Sequence, residues 1–166
     1  MNNKTFFTVL AVIMLLAALL AFRLKPQRPD QVAHTNSAGV AHELVAYRSP
    51  TCGCCVNWVS YMKSRGYKVE SVDVDEAELV KIKEQYGIPQ ELYGCHTTVV
   101  NGGQYYIEGL VPEEAVSRML EEQPDIAGIA LPGMPAGSPG MPGTKQAPFE
   151  IMMVDKFNKI DLFERM

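Results

Sequence analysis

The amino-acid sequence predicts an α/β domain over residues 42–166, and three of its features support this prediction. Short runs of apolar and β-branched residues alternate with segments whose apolar side chains recur at helical spacing. A cysteine-rich segment, Thr51-Cys52-Gly53-Cys54-Cys55, joins the first run to the first helical segment. The turn signal Asn101-Gly102-Gly103 separates two later runs and is typical of a β-hairpin.

The first half of this domain alternates strand, helix, strand and helix, at residues 42–47, 52–65, 67–74 and 76–86. Thr51 is placed to cap the first helix, and Gly66 follows the last residue of that helix. Asp75 and Glu78 form a capping-box-like start for the second helix.

The second half begins with a hairpin of strands 97–100 and 104–108, and a third helix begins at Pro112. The resulting order, β-α-β-α-β-β-α, is that of thioredoxin-like domains. A Pro/Gly/Met-rich loop follows at residues 131–143, where proline and glycine prevent a regular element. Residues 149–154 and 160–163 predict a C-terminal β-hairpin that extends or covers the sheet.

All four cysteines lie in two short segments, the Cys52–Cys55 cluster and Cys95-His96. The thioredoxin-like order brings the start of the third strand beside the start of the first helix, so we expect Cys95 to face the first cluster. Thioredoxin-like domains normally have a cis-proline before the third strand, and here Cys95-His96 takes that place. A helix N-terminus lowers thiol pKa values, and the thiolate is the form that binds metal.

These residue types predict a metal site made of soft ligands. Thiolates suit Cu(I), zinc and iron–sulfur centres. Cys52 and Cys55 have the spacing of a zinc pair, but a closed zinc site with Cys95 and His96 would leave Cys54 unused. Thiolates that bridge several Cu(I) ions would use the adjacent cysteines without strain, so copper is favoured over zinc. The candidate ligands are Cys52, Cys54, Cys55, Cys95 and His96.

Other functions remain open at this point. A thiol–disulfide oxidoreductase would use Cys52 as nucleophile and Cys55 as its partner. A copper site could serve a carrier without catalysis, or an enzyme that cycles copper between Cu(I) and Cu(II). Buried structural cysteines explain a single Cys better than this cluster. Met134 and Met141 could add thioether ligands, or could fill apolar gaps.

Residues 1–24 predict a signal peptide or an N-terminal membrane anchor. Residues 6–22 carry no charge, and Lys4 and Arg23 flank them. Either outcome predicts a periplasmic domain, which is soluble or is anchored to the inner membrane through residues 6–22 if they are not cleaved. Residues 25–41 are polar, contain Pro26, Pro29 and Gly39, and predict a linker.

The charge distribution excludes one class of partner. Residues 1–30 hold four of the 15 basic side chains, and the remaining residues hold 11 basic and 18 acidic ones, a net charge of −7. Because this part has no cluster of Lys and Arg, we expect no binding to nucleic acid.

The chain resembles the CopG-type copper-resistance family, which consists of small exported thioredoxin-like proteins. The resemblance covers about residues 43–163 and implies copper binding in copper resistance, possible copper redox chemistry, and other periplasmic copper-handling proteins as partners. The family commonly has Glu-Gly-His before Val-Pro, and Leu110 replaces that histidine here. The matching motifs are Tyr47-Arg48-Ser49-Pro50-Thr51-Cys52-Gly53-Cys54-Cys55 with Trp58, Cys95-His96-Thr97-Thr98-Val99-Val100, Glu108-Gly109, Val111-Pro112, Pro132-Gly133-Met134-Pro135 and Ser138-Pro139-Gly140-Met141.

Overall fold

The computed structural model describes residues 42–166. The predicted signal or anchor segment, residues 1–24, and the predicted linker, residues 25–41, lie outside the described residues. Within residues 42–166, no helix is both long enough and apolar enough to cross a bilayer.

The described residues form a seven-stranded mixed sheet with three helices. Neighbouring strands in the sheet follow the order β2-β1-β3-β4-β5-β6-β7. The first seven elements have the thioredoxin-like order β-α-β-α-β-β-α, as predicted. The elements are β1 Glu43–Arg48, α1 Gly53–Ser64, β2 Lys68–Asp73, α2 Glu76–Gln85, β3 His96–Val100, β4 Tyr105–Gly109, α3 Glu113–Glu122, β5 Ile126–Leu131, β6 Glu150–Asp155 and β7 Ile160–Arg165, with a short 3-10 turn at Gln90–Leu92.

Strand β5 is absent from the sequence prediction. It is a short apolar run, and periodicity alone does not separate a fully buried strand from a buried helical segment. The strand pairs in parallel with β4 and antiparallel with β6, so the predicted C-terminal hairpin, β6 and β7, extends the sheet through β5. Leu131 belongs to this strand, and the Pro/Gly/Met-rich loop therefore begins at Pro132.

Successive side chains of a strand point to opposite faces of the sheet, so the sheet separates two apolar clusters. Ile107 and Ile129 belong to the larger cluster, which includes Trp58 and Met62 of α1 and Val116 and Met119 of α3. The smaller cluster contains Tyr106, which precedes Ile107, and Ala130, which follows Ile129. Ile88 and Leu92 belong to the same cluster. Helices α1 and α3 thus cover one face, and the segment after α2 covers the other.

A helix cap and a hairpin turn lie where the sequence predicts them. The Asp75 carboxylate accepts a hydrogen bond from the Glu78 backbone N–H at 2.8 Å and so caps α2. Asn101, Gly102 and Gly103 all have positive φ in the β3–β4 turn. The turn connects β3 to β4. The start of β3 and the end of β4 lie beside the region around Cys95.

Candidate metal centre

The first helix begins at a cysteine. Cys52, rather than the predicted Thr51, is the N-cap of α1, and its sulfur accepts a hydrogen bond from the Cys55 backbone N–H at 3.3 Å. The Thr51 hydroxyl lies 3.1 Å from the Ser49 hydroxyl instead. The prediction of a Thr51 cap is wrong because the chain enters the helix one residue later, so a sulfur takes the position of the capping oxygen.

Four sulfur atoms meet at this helix start. The Sγ atoms of Cys52, Cys54, Cys55 and Cys95 all lie within 4.8 Å of one another. The Cys54 sulfur is 3.5 Å from that of Cys52 and 3.8 Å from that of Cys95. The fold therefore brings Cys95 to the first cluster, as the predicted element order requires. Metal binding by these residues stays a prediction.

Two of the sulfur–sulfur separations suit a soft metal. In a tetrahedral thiolate site with metal–sulfur bonds of about 2.3 Å, neighbouring sulfurs lie about 3.8 Å apart. The separations of the Cys54 sulfur from those of Cys52 and Cys95 are near this value. Cys54 thus lies within the group, as expected for a candidate ligand, whereas a zinc site of three cysteines and His96 would leave it unused.

The described protein holds two of the four cysteines as a disulfide. Cys52 and Cys55 are bonded, with their Cα atoms 5.4 Å apart, and Cys54 and Cys95 are free thiols. A disulfide sulfur has no thiolate charge, so four-thiolate metal binding requires reduction of this bond. Cys52 is partly exposed and Cys55 is fully buried, so Cys52 is the more accessible residue of the pair.

Burial acts on the Cys95 thiol by disfavouring its charged form. Burial, followed by the neighbouring Cys54 sulfur, raises the pKa of Cys95 to about 12. The expected lowering of thiol pKa values by the helix N-terminus does not extend to this residue, because Cys95 precedes β3 and is held among apolar neighbours. A metal that binds Cys95 must therefore displace a proton.

His96 lies beside the four sulfurs but outside their group. Its ring is fully buried and packs against Trp58, with ring centroids 4.6 Å apart. Nδ1 lies 3.6 Å from the Cys95 sulfur, and Nε2 is buried without a hydrogen-bond partner in the described part of the chain. Burial, with the nearby charges of Lys83 and Arg48, lowers the pKa of His96 to about 3, so the ring is neutral.

The Pro/Gly/Met-rich loop covers the start of α1. The Asn57 side-chain amide donates to the Gly140 carbonyl at 3.2 Å. A Cβ atom at Gly140 would overlap the carbonyl oxygen of Cys54, and Gly140 has φ +93°. Glycine therefore allows the loop to approach the cysteine segment closely. Met141 is partly buried and packs against the larger core cluster, whereas the Met134 side chain is 39% exposed.

A buried ion pair behind Cys95 was not predicted from the sequence. Lys83 of α2 and Glu108 of β4 contact each other, and Thr97 of β3 bonds to both. One signal was available, because Lys83 follows Leu79 by four residues and so lies on the apolar face of α2. A lysine on such a face needs a buried partner.

Known proteins resemble this chain in sequence and in structure. The family model described as "Protein of unknown function, DUF411" matches residues 92–141. A solved structure of "Copper resistance protein copG", form 2, is 30% identical, with a TM-score of 0.68 over 76% of this chain and 99% of that chain. Form 1 of the same protein is also 30% identical, with a TM-score of 0.66 over 75% of this chain and 96% of that chain. No curated protein matches the chain.

Proposed function

This chain belongs to the CopG-type copper-resistance family, and from that premise we propose that it binds Cu(I) through Cys52, Cys54, Cys55 and Cys95. The observation that carries the proposal is the group of four sulfurs within 4.8 Å of one another, drawn from two separate segments. Thiolates are soft ligands, and Cu(I) is a soft ion that they prefer. His96 is a weaker candidate ligand, through Nδ1 beside the Cys95 sulfur.

Reduction precedes copper binding in this proposal. An external dithiol attacks the sulfur of the partly exposed Cys52, the Cys52–Cys55 bond breaks, and Cys55 leaves as a thiolate. The second sulfur of the dithiol then attacks the mixed disulfide and releases Cys52. The dithiol ends as a disulfide, having supplied two electrons, and the protein gains two thiols. Copper then displaces the protons of the four thiols.

Copper is favoured over zinc because Cys54 and Cys55 are adjacent. Two neighbouring residues ligate a single tetrahedral ion with strain, whereas bridging thiolates can share several Cu(I) ions. We therefore propose more than one copper ion per chain. We further propose that the domain acts in the periplasm, after export through residues 1–24, in copper resistance. Delivery of copper to other periplasmic copper-handling proteins and cycling between Cu(I) and Cu(II) are both compatible with this site, and cycling needs an external one-electron carrier.

Anaerobic titration of the reduced full-length protein tests this proposal. We expect more than one Cu(I) per chain, and we expect excess Cu(I) to displace bound zinc. The matched control is the same protein with its Cys52–Cys55 disulfide intact, which has two free thiols and should bind less copper. A single bound zinc that Cu(I) does not displace would refute the copper proposal.

One observation favours a second candidate function, thiol–disulfide oxidoreductase. The Cys52–Cys55 disulfide lies at a helix start and includes the partly exposed residue Cys52, as a catalytic disulfide requires. The Cys54 thiol opposes this function, because it lies 3.5 Å from the Cys52 sulfur and can attack a mixed disulfide formed there. Failure to bind copper, together with rapid copper-free oxidation of a dithiol peptide, would favour this second candidate.

A further inference from the structure

A closed network of charges and hydrogen bonds lies behind the cysteine group, on the opposite face of the sheet from α1. Its centre is the ion pair between Lys83 and Glu108, whose side chains are 3% and 0% exposed. Thr97 donates from its hydroxyl to the Glu108 carboxylate at 2.6 Å and accepts from the Lys83 ammonium at 3.1 Å. The function proposed above uses none of these three residues as a metal ligand.

The bonds of this network end on the segment that carries Cys95. The Gly94 backbone N–H donates to the Glu108 carboxylate at 2.6 Å, and Lys83 donates to the Gly94 carbonyl at 3.3 Å. Both backbone polar groups of the residue before Cys95 are thus held. Thr97 lies two residues after Cys95 and is held through its side chain.

Packing reinforces the same segment. A Cβ atom at Gly94 would lie 2.8 Å from the Gly109 Cα, so the two backbones are in direct contact. Gly109 follows Glu108 and has φ +72°. The end of β4 therefore supports the segment before β3 by backbone contact and by the Glu108 carboxylate together.

We propose that Glu108, held by Lys83, is a positioning residue that fixes the backbone around Cys95 and so holds the Cys95 sulfur within reach of the first cluster. This inference rests on the proposed function, because it explains how one copper ligand from a distant segment is kept in place. It assigns a role to the Glu108-Gly109 motif.

Stability alone does not account for the pair. Taking two charges out of water is costly, and replacing a buried ion pair with apolar residues of similar size is often neutral or stabilising. The carboxylate also has a feature that a merely stabilising pair does not need. Its two oxygens bond to Gly94 and Thr97, which flank Cys95 on both sides.

Two double variants separate positioning from charge. Lys83→Met with Glu108→Leu removes both charges and every acceptor for the Gly94 N–H. Lys83→Met with Glu108→Gln also removes both charges but keeps a side-chain carbonyl that can accept from Gly94. Val154→Ala is the stability control, because Val154 is fully buried in the smaller cluster and takes no part in the network.

The first measurement needs no copper. In the full-length protein with its Cys52–Cys55 disulfide intact, Cys54 and Cys95 are the free thiols, with sulfurs 3.8 Å apart. Diamide converts these two thiols to a disulfide, takes up their two electrons and two protons, and becomes a hydrazine. Peptide mapping by mass spectrometry follows the formation of the Cys54–Cys95 bond, and thermal unfolding is measured on the same samples.

We expect the Leu double variant to form this bond about tenfold more slowly than the wild type, because a misplacement near 1 Å has effects of this order or larger. The Gln double variant and Val154→Ala should stay close to the wild-type rate, even where their melting temperatures fall. Equal rates in all four proteins would overturn the proposal. Equal slowing in both double variants would overturn it as well, because the acceptor for Gly94 would then be irrelevant.

The second measurement is Cu(I) affinity of the reduced proteins, by competition with a chromophoric chelator. We expect weaker binding in the Leu double variant and near wild-type binding in the Gln double variant. If wild-type protein binds no Cu(I), the proposed function fails while the cross-linking rates still test the positioning role. Unchanged Cu(I) affinity in the Leu double variant, with wild-type binding intact, would contradict the positioning of Cys95 for copper.

Discussion

Cys95 is the residue on which the copper proposal depends most, because its sulfur comes from outside the first cluster. The Cys95 sulfur lies 3.8 Å from the Cys54 sulfur. Hydrogen bonds to Glu108 hold the chain on both sides of Cys95, at Gly94 and at Thr97. Its neighbour His96 is buried against Trp58 and faces the same sulfur through Nδ1. Cys95 thus lies inside the sulfur group, whereas His96 lies beside it.

Substituting Cys95 tests this difference. We expect Cys95→Ser to remove copper as effectively as Cys52→Ser, because each takes one thiolate from the same group. His96→Ala should have a smaller effect on copper, since the imidazole lies at the margin of the site. Copper content per chain and melting temperature are measured on the same samples.

A purely structural Cys95 would behave differently. Burying a serine hydroxyl without a partner costs about 1–3 kcal/mol, so Cys95→Ser would lower the melting temperature. Full copper loading in that destabilised variant would show that the first cluster alone makes the site.

Beyond the helices and strands, the Pro/Gly/Met-rich loop approaches the cysteine segment closely. A Cβ atom at Gly140 would overlap the Cys54 carbonyl oxygen and lie 3.0 Å from the Trp58 backbone nitrogen near the start of α1. The buried Ser138 side chain donates to the Pro135 carbonyl at 2.7 Å, which closes the loop on itself. The loop is thus an ordered cover over the helix start, and its two methionines occupy different environments.

The structure leads us to expect packing for Met141 and no structural role for Met134. Met141→Leu should cost less than about 1.5 kcal/mol, as volume-conserving apolar exchanges usually do. Met134→Leu should leave the melting temperature unchanged, because the side chain is 39% exposed. Cu(I) affinity should be the same in both variants and in their combination, as measured by chelator competition.

Ligation by thioethers would give another pattern. Weaker Cu(I) binding in the combined variant, with the fold intact, would assign the methionines to the metal site. Comparing the two single variants would then show whether the exposed Met134 or the packed Met141 supplies the ligand.

Charge is distributed unevenly over the whole molecule. Residues 31–166 have a net negative charge, whereas the N-terminal segment is basic around an uncharged run. In the body, the C-terminal strand β7 lies at the edge of the sheet, and the Met166 N–H donates to the Phe149 carbonyl at 3.0 Å. A fusion after residue 166 therefore adds to an edge of the domain and leaves the cysteine group free.

Export is tested by such a fusion. A reporter enzyme that works only outside the cytoplasm should be active when fused after residue 166, because residues 1–24 are predicted to direct or anchor the chain. Deleting residues 1–24 from the same fusion is the matched control and should abolish the activity. Reporter activity confined to the cytoplasm would contradict the predicted compartment.

Local patterns in the sequence determined most of the elements. The Asp75 cap, the Asn101-Gly102-Gly103 turn and the helix after Pro112 depend on residues a few positions apart, and all are found where the sequence predicts them. The fold order then sufficed to bring Cys95 to the first cluster. These features follow from short-range geometry and from the few topologies that such an order allows.

Tertiary structure alone decided the rest, because the deciding contacts join residues far apart in sequence. The apolar run of β5 could be strand or helix until β4 and β6 supplied partners for its backbone. Glu108 is an ordinary acidic residue in the sequence, and it becomes the support of Cys95 because folding buries it against Lys83, Thr97 and Gly94, where an unpaired charge would be too costly.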